Sequence, residues 1–289
     1  CTKCVNEEIC SFNIKMKPKS AKSADIQPVK VIKGKKLKVK FRLKALGILA
    51  GALLLFYLLS FLIFPVGLGE TFNNLIKPIG SGEYPLEISG TSVLDVVSMN
   101  NYYYTLTDSA LYTVNHSGKV INTFSHGYSA PVIKTSKTRA LIFDCGQNNL
   151  SVYALDKKIV SKENKLKIIC ADISDSGAYA VAFYGEDYTS VLKVYNKKGK
   201  EIFTFNCAKD LISTVSISPN GKKVLITTVN AQNGDLKYTL RFFNVKKTDP
   251  EKVVDLSDKT VLNTQANSKG VYVITNKGCT FEFWRNKDS

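Results

Sequence analysis

Three cysteines near the start of the sequence have a spacing that is compatible with metal binding. Cys1, Cys4 and Cys10 form a C-x2-C-x5-C pattern, and two thiolates separated by two residues can supply half of a tetrahedral zinc site. No second C-x2-C pair and no His pair follows before residue 45. The cysteines are therefore candidates for a zinc site, and the interpretation that we prefer is a set of reduced, unpaired cytosolic thiols.

The sequence contains side chains that are used in hydrolysis, but their spacing forms no recognisable catalytic set. Its two histidines, His116 and His126, have no Ser or Cys nucleophile in a strand–turn–helix elbow. The carboxylates that follow or end predicted strands are Asp108, Asp144, Asp172, Asp175, Glu186 and Asp187. Asp is common at such positions because its side chain bonds nearby backbone N–H groups. We therefore predict no catalytic residue and no cofactor site.

Four more cysteines lie further along the chain, at Cys145, Cys170, Cys207 and Cys279. Four cysteines allow three disulfide pairings. Because these cysteines are far apart in sequence and close to apolar runs, we expect buried thiols that behave as small hydrophobic residues. Disulfide bonds are the alternative.

A long uncharged segment determines how the chain is organised. Residues 45–64, ALGILAGALLLFYLLSFLIF, contain no charge, and a helix of that length spans about 30 Å, the thickness of the bilayer hydrocarbon core. The sequence predicts a transmembrane helix over residues 45–66 that acts as an uncleaved signal anchor. A signal peptide cleaved near Gly67-Leu-Gly69 is the alternative, but the apolar run is longer than the core of a usual signal peptide.

A basic cluster immediately before the apolar segment predicts its orientation and a lipid partner. The cluster comprises Lys33, Lys35, Lys36, Lys38, Lys40, Arg42 and Lys44. By the positive-inside rule, the N-terminus is cytoplasmic, the cluster contacts anionic lipids there, and the C-terminal domain is extracellular. Residues 1–44 hold thirteen Lys/Arg and three Asp/Glu, so this arm carries +10 of the net charge of +16. Its composition predicts disorder, and the location of its charge favours a membrane over nucleic acid.

Gly47 and Gly51 give the apolar segment a G-x-x-x-G step. This spacing places two small residues on one helix face, where a second helix can approach closely. The sequence therefore offers a homodimer contact through the transmembrane helix. Glycine is also common in membrane helices for other reasons, and that is the alternative.

Beyond a predicted linker at residues 67–84, the sequence repeats. Short β-branched and aromatic runs alternate with turns, and the turns that precede the second strands end at residues 101, 137, 177, 221 and 270, which are 36, 40, 44 and 49 residues apart. Four antiparallel strands every forty-odd residues are typical of a propeller blade. The predicted fold is all-β: a β-propeller over residues 85–289, with at least four blades and a partial fifth, preceded by one transmembrane α-helix.

The turns of the repeat resemble those of known propeller families. The run Ile217-Ser-Pro-Asn-Gly-Lys-Lys-Val-Leu225, and more loosely residues 173–180, resemble the S-P-D-G-K element of TolB-like and WD40-like propellers, with Asn220 in place of the usual Asp. The whole layout over residues 33–284 resembles a family of Gram-positive membrane proteins that contain domain of unknown function 5711. That resemblance implies a membrane-tethered, propeller-like fold and implies no activity.

The fifth repeat ends after its third predicted strand. We expect further blades beyond Ser289. The alternative is a five-blade ring in which Tyr84–Ser89 supplies the missing fourth strand.

Taken as a whole, the sequence favours a membrane-anchored extracellular propeller that binds a protein or a cell-wall polymer, with no nucleic-acid partner. The alternative is an envelope hydrolase or lyase that gathers carboxylates at the central channel of the propeller. Propellers host many functions, so the choice depends on the chemistry of the site.

Overall fold

The computed structural model describes residues 39–63, 68–76, 80–88, 92–99, 102–232, 234–256 and 258–284. Helix α1 (Val39–Ile63) covers most of the apolar segment, and many of its large apolar side chains, including Leu46, Leu54 and Phe56, are exposed. Within the described residues, no helix is both long enough and apolar enough to qualify as a membrane span. The chain divides into two compact units, Cys1–Ala50 and Gly51–Ser289.

A second helix lies where the sequence predicts only a linker. Helix α2 (Leu68–Ile76) occupies part of the predicted linker at residues 67–84. Leu68, Phe72 and Ile76 recur at four-residue intervals, which is the spacing of one helix face. Glu70 lies in the first turn, where a negative charge interacts favourably with the helix dipole.

The rest of the described chain forms five antiparallel sheets. Sheet 1 contains β1 (Val93–Met99), β2 (Tyr102–Thr107), β3 (Ala110–Asn115) and β4 (Val120–Ser125). Sheet 2 contains β5 (Pro131–Thr135), β6 (Ala140–Asp144), β7 (Asn149–Tyr153) and β8 (Lys158–Glu163). Sheet 3 contains β9 (Ile168–Ile173), β10 (Tyr179–Tyr184), β11 (Ser190–Tyr195) and β12 (Glu201–Cys207). Sheet 4 contains β13 (Leu211–Ile217), β14 (Lys223–Gln232), β15 (Asp235–Asn244) and β16 (Lys252–Leu256), and sheet 5 contains β17 (Val261–Ala266), β18 (Gly270–Thr275) and β19 (Gly278–Phe283).

Each sheet pairs its strands in chain order, so the prediction of four-stranded antiparallel sheets is confirmed for sheets 1–4. The second strands begin at residues 102, 140, 179, 223 and 270, each within three residues of the end of an aligned turn. The β14–β15 hairpin is longer than the others because Asn230, Ala231 and Gln232 pair with Lys237, Leu236 and Asp235.

The sheets pack face to face in sequence, with their first strands side by side. The contacts between first strands run from β1 to β5, β9, β13 and β17. An apolar cluster separates each consecutive pair of sheets; for example, Tyr104 of sheet 1 shares a cluster with Ile142 of sheet 2, and Phe143 of sheet 2 shares one with Val181 of sheet 3. Central sheets must therefore be apolar on both faces, which explains why all five residues of β6 are buried. Sheets stacked in this way about common first strands form a propeller.

Tyr84–Ser89 does not supply a fourth strand to sheet 5, so that alternative is wrong for the part of the segment that the structure describes. Its residues 84–88 belong to no strand, and the chain here lies instead against the β3–β4 hairpin. Gly82 N donates to Ser117 O (3.1 Å) and Tyr84 Oη donates to His116 O (3.3 Å). A Cβ on Gly82 would lie 2.2 Å from Lys119 N, so the contact requires glycine.

Candidate binding cavity

A central cavity of about 630 Å³ lies among the first strands of all five sheets. Its wall is built from the ends of these strands and the turns that follow: Asp95 and Val97–Met99, Ile133–Lys137, Asp172–Asp175, Ile217 and Pro219, and Asn263–Ala266. The first strands can line a shared space because each is the innermost strand of its sheet. The cavity therefore depends on the repeat as a whole, and no single sheet could form it.

The cavity wall is mainly polar. Exposed side chains from three strands face it, among them Asp95 and Ser98 of β1, Lys134 of β5 and Gln265 of β17. Together they supply a carboxylate, a hydroxyl, an ammonium and an amide. This set can hydrogen-bond to a polar ligand from several sides, as binding pockets with a few convergent polar groups do.

Asp172 connects two neighbouring sheets at the cavity wall. Its Oδ1 accepts a hydrogen bond from Ile173 N (2.9 Å), and its Oδ2 accepts one from Ile217 N in β13 (2.9 Å). Burial raises the pKa of this carboxyl to about 6, although the two N–H donors and the Lys134 ammonium act in the opposite direction. Both carboxylate oxygens are thus engaged by the backbone.

Asp175 is engaged in a similar way at the rim. It accepts a hydrogen bond from Lys137 N (3.1 Å) and forms an ion pair with Lys137 Nζ (3.2 Å). These bonds join the turn after β5 to the turn after β9. The charge of Asp175 is accordingly balanced within the rim.

The other carboxylates that the sequence analysis considered lie away from the cavity. Asp108, Glu186 and Asp187 belong to connections between second and third strands. Asp144 ends β6, and its two oxygens accept hydrogen bonds from Ser129 N (3.0 Å) and Ala130 N (2.7 Å). The structure therefore brings together only Asp172 and Asp175 of the six candidates, and it adds Asp95.

Sequence reasoning missed Asp95, Lys134, Asn263 and Gln265 as cavity residues. The available signal was that first strands such as LNTQAN and PVIKTS are more polar than the second strands of the same repeats. On sheet 2, both faces are covered by neighbouring sheets, so a polar side chain on its innermost strand, such as Lys134, must face a channel or a turn. A search of the aligned first strands could have found these residues.

The histidines form no catalytic arrangement with the groups around them. His116 is exposed in the β3–β4 hairpin. His126 follows β4, and burial lowers the pKa of its imidazole, against the effect of the Thr107 backbone and of Asp144. Neither residue lines the cavity.

The four cysteines of the described residues are free thiols with different surroundings. The expectation of burial is met for Cys207 but is wrong for Cys145 and Cys279, which are exposed. Cys145 lies in the turn after β6, and Cys279 lies on the outermost strand of the three-stranded sheet 5. Cys170 is partly exposed, and desolvation raises the pKa of its thiol to about 12.

The predicted sites of the N-terminal arm are only partly within the described residues. Cys1, Cys4, Cys10, Lys33, Lys35, Lys36 and Lys38 lie outside them, whereas Lys40, Arg42 and Lys44 lie in the first turns of α1. Gly47 and Gly51 also lie in α1, and a Cβ at either position would contact nothing. In the part of the chain that the structure describes, no group of three or more His, Cys, Asp or Glu side chains could hold a metal ion.

Comparison with known proteins identifies the family of the chain. A family model described as "Family of unknown function (DUF5711)" matches residues 82–281, well over half of the 289 residues. No curated protein matches the chain. Similar solved structures include Kluyveromyces lactis Hsv2p (TM-score 0.47, 12% identity, covering 64% of this chain and 64% of that one). Another is Kuenenia stuttgartiensis hydrazine synthase (TM-score 0.49, 13% identity, covering 65% of this chain and 59% of that one). A third is the Dos1 propeller (TM-score 0.48, 10% identity, covering 66% of this chain and 56% of that one).

The chain spans less than two thirds of the length of each of these three structures. Their TM-scores are below 0.5, so the assignment of a propeller rests on the sheet topology described above. The family match covers all five sheets except the last residues of β19, and the N-terminal part of the match includes the segment that lies against the β3–β4 hairpin. The chain is a member of the DUF5711 family.

Proposed function

We propose that this protein is a membrane-anchored scaffold whose central cavity binds a partner protein or a cell-wall polymer at the outer face of the cell membrane. The observation that carries the proposal is the cavity itself, about 630 Å³ in volume and lined by all five first strands. Its exposed Asp95, Ser98, Lys134 and Gln265 can hydrogen-bond to a polar partner, and their placement on rigid strands fixes the geometry of binding.

The state of the carboxylates favours binding over hydrolysis. A glycoside hydrolase needs two carboxyl groups that are free to donate a proton and to act as base or nucleophile. Asp172 has a raised pKa, which suits a general acid, but both of its oxygens already accept backbone hydrogen bonds. Asp175 is paired with Lys137. A hydrolase or lyase would have to break these contacts before it could use either group.

Membrane anchoring is supported by the sequence and by the surface of α1. The uncharged run of residues 45–64 is preceded by the seven-residue basic cluster. Leu53, Leu54, Leu55, Phe56 and Leu58 are all more than half exposed, and consecutive residues point around the whole circumference of a helix. Lipid is the environment in which such a surface is favourable.

The anchoring part of the proposal can be tested on native membranes. We expect the full chain to remain in the pellet after alkaline carbonate washing, and protease added outside intact cells to remove the five sheets while it leaves residues 1–44 protected. Release by carbonate would contradict anchoring. Cleavage of the N-terminal arm from outside would contradict the orientation.

The binding part can be tested by chemical crosslinking of the full chain in its own membranes, followed by purification and mass spectrometry. A protein scaffold predicts crosslinks between one defined partner and Lys134 at the cavity wall. Retention on isolated cell wall, with no protein crosslinked to the cavity, would indicate a polymer. Crosslinks that avoid the cavity would contradict the proposed site.

A further inference from the structure

The two ends of the sheets can be distinguished by their connections. In sheets whose strands pair in chain order, the connections from first to second strand and from third to fourth strand lie at one end. Contacts between sheets are consistent with this arrangement, because Lys137 N of one such turn bonds Asp175 of the next, and Ser176 N bonds Pro219 O of the turn after that. The rim of the central cavity contains the same turns, so the cavity opens at this end.

This end of the sheets, which we call the basic end, carries most of the positive charge of the connections. Its described connections are residues 116–119, 136–139, 154–157, 174–178, 196–200, 218–222, 245–251 and 267–269. They hold eleven Lys/Arg and four Asp/Glu, a net charge of +7. The described connections at the opposite end hold five of each, a net charge of zero. The asymmetry therefore belongs to one surface and is not a property of the whole domain.

Much of the charge of the basic end is available to a partner. Seven of its lysines are exposed and form no ion pair with the described residues: Lys119, Lys157, Lys198, Lys200, Lys222, Lys246 and Lys269. Glu70 of α2 neutralises Arg139. Even when Glu70, Glu83 and Glu87 of the preceding segments are added to the count, the net charge remains +4.

Helix α2 is held at the same end by a buried ion pair. Arg139 Nε and Nη2 donate to the two carboxylate oxygens of Glu70, each at 2.8 Å, and Arg139 Nη1 donates to Lys197 O at 2.8 Å. Only 5% of the Arg139 side chain and 11% of the Glu70 side chain are exposed. Gly177 makes room for the guanidinium, because a Cβ there would lie 2.9 Å from Nη1.

Two apolar side chains of α2 are exposed. Phe72 is 64% exposed and Ile76 is 45% exposed, and the two lie four residues apart on one face. A short amphipathic helix with exposed apolar side chains next to a basic surface has the features of a helix that lies in a membrane interface. Five residue steps separate Ile63 at the end of α1 from Leu68, so the chain between them spans at most about 18 Å.

We propose that the basic end and α2 together form a surface that binds anionic lipid headgroups of the outer membrane leaflet. This inference rests on the membrane anchoring in the proposed function. Phe72 and Ile76 enter the headgroup region. The seven lysines lie close enough to the lipid phosphates to be attracted to them electrostatically. The mouth of the cavity then faces the membrane, so its ligand is one that reaches the membrane surface.

The test uses the full chain in lipid nanodiscs, either of phosphatidylcholine alone or with phosphatidylglycerol added. The rate of lysine acetylation is followed residue by residue with mass spectrometry. We expect anionic lipid to slow the labelling of Lys198, Lys200 and Lys222 severalfold, and high salt to reverse the effect. Lys165, Lys167 and Lys209, exposed at the opposite end, should react at the same rate in both lipids. Equal rates at the basic end in both lipids would overturn the inference.

Charge reversal provides a matched pair of variants. The triple substitution Lys198→Glu, Lys200→Glu, Lys222→Glu should abolish the lipid-dependent protection of Lys119 and Lys246, whereas Lys165→Glu, Lys167→Glu, Lys209→Glu should leave it unchanged. All six lysines are exposed, so both variants should melt like the wild type. Protection that survives the first triple substitution would contradict the inference.

The same experiment separates this inference from the proposed function. If the full chain does not enter nanodiscs, anchoring fails and the inference fails with it. If the chain is incorporated but the acetylation rates of the lysines do not depend on lipid charge, only the inference of lipid binding fails. Protection by a soluble polyanion in phosphatidylcholine discs, without protection by anionic lipid, would also overturn it, because the partner would then be a polymer.

Discussion

Asp172 shows how a carboxylate in a channel can serve the fold. The sequence identifies it as one of several acids near strand ends, which could be catalytic or structural. In the folded chain its oxygens accept N–H groups from two sheets, Ile173 in β9 and Ile217 in β13. The side chain therefore joins the first strands of two neighbouring sheets at the cavity wall.

Asp172 should make folding stability depend on pH. Burial raises the pKa of this carboxyl to about 6, above the value of about 3.9 in an unfolded chain. The folded state therefore binds the proton more tightly, so the contribution of Asp172 is fully present below about pH 4 and is lost as the pH rises through about 6. Relative to Asp172→Asn, the wild type should lose up to about 3 kcal/mol of unfolding free energy over this range.

Denaturant titrations of both proteins at several pH values would measure that difference. Because other groups titrate equally in the two proteins, their contributions cancel. A difference in unfolding free energy that stays constant between about pH 4 and pH 7 would contradict the assigned environment of Asp172.

Arg139 should control whether α2 stays attached to the sheets. Arg139→Met removes the partner of Glu70, and a buried charge without its partner typically costs about 3–5 kcal/mol. Because α2 can detach and return Glu70 to water, we expect a local effect: faster amide hydrogen exchange in residues 68–76 with little change in the sheets. Lys193→Met, which breaks the more exposed pair with Glu201, is the control. Unchanged exchange in α2 would show that the ion pair does not hold the helix.

At the scale of elements, the segment before sheet 1 is a fixed part of the domain. Asn115 Nδ2 donates to Gly80 O (2.7 Å), and Gly82 N donates to Ser117 O (3.1 Å), so residues 80–84 follow the β3–β4 hairpin. The sequence predicts this stretch as part of a linker because Pro78, Gly80 and Gly82 are frequent in loops. Two of these glycines instead allow close approach to the hairpin.

Gly82→Ala should release this segment. The new Cβ would lie 2.2 Å from Lys119 N and 2.4 Å from Gly118 C, and backbone atoms cannot move aside easily. We expect limited proteolysis to cut within residues 80–88 of the variant much faster than in the wild type. Gly127→Ala is the matched control, since a Cβ there meets nothing within 4 Å. Equal cleavage of both variants would argue against the contact.

Sheet 5 should tolerate substitution on one face only. Val273 is fully buried against sheet 4, whereas its neighbours Tyr272 and Ile274 are 46% and 39% exposed. Val273→Ala should lower the unfolding free energy by about 1–3 kcal/mol through lost burial and a cavity. The same change at Val253, which is 56% exposed on β16, should cost less than about 0.5 kcal/mol. Similar losses at both sites, measured by denaturant unfolding, would contradict the stacking of sheets 4 and 5.

The strands could be predicted from sequence because their signals are local. Runs such as YAVAFY (179–184) are bounded by turn residues, and their bounds match β10. Helix α2 was missed because its sequence, LGETFNNLI, has only two full turns and includes two asparagines with low helix propensity. What favours it is a tertiary contact, the ion pair of Glu70 with Arg139, 69 residues away.

The cavity was not predicted because its residues converge only in the folded chain and its signal appears only when the first strands are compared with one another. Its wall extends from Asp95 to Ala266, and each strand contributes a few polar side chains that look unremarkable by themselves. The length of the β14–β15 hairpin was also missed, because the Asn-Ala-Gln-Asn run at residues 230–233 is weak in β propensity. Pairing with Asp235–Lys237 extends it nonetheless.

For the molecule as a whole, the described features point to one end of the propeller. The cavity opens there, most of the lysines of the connections lie there, and α2 and residues 80–84 contact the sheets there. The opposite end has balanced charge. A scaffold anchored through its basic end would bind its ligand next to the membrane. The position of the cavity is thereby linked to the proposed anchoring.

Photo-crosslinking in living cells can test whether the cavity is the binding site. A photoreactive amino acid is placed at Gln265 or Ser98 in the cavity wall, or at Asn206, an exposed residue on the outermost strand of sheet 3. If the cavity is the binding site, we expect a discrete crosslinked product from both cavity positions and none from Asn206. A product from Asn206 alone, or no product from either cavity position, would contradict it.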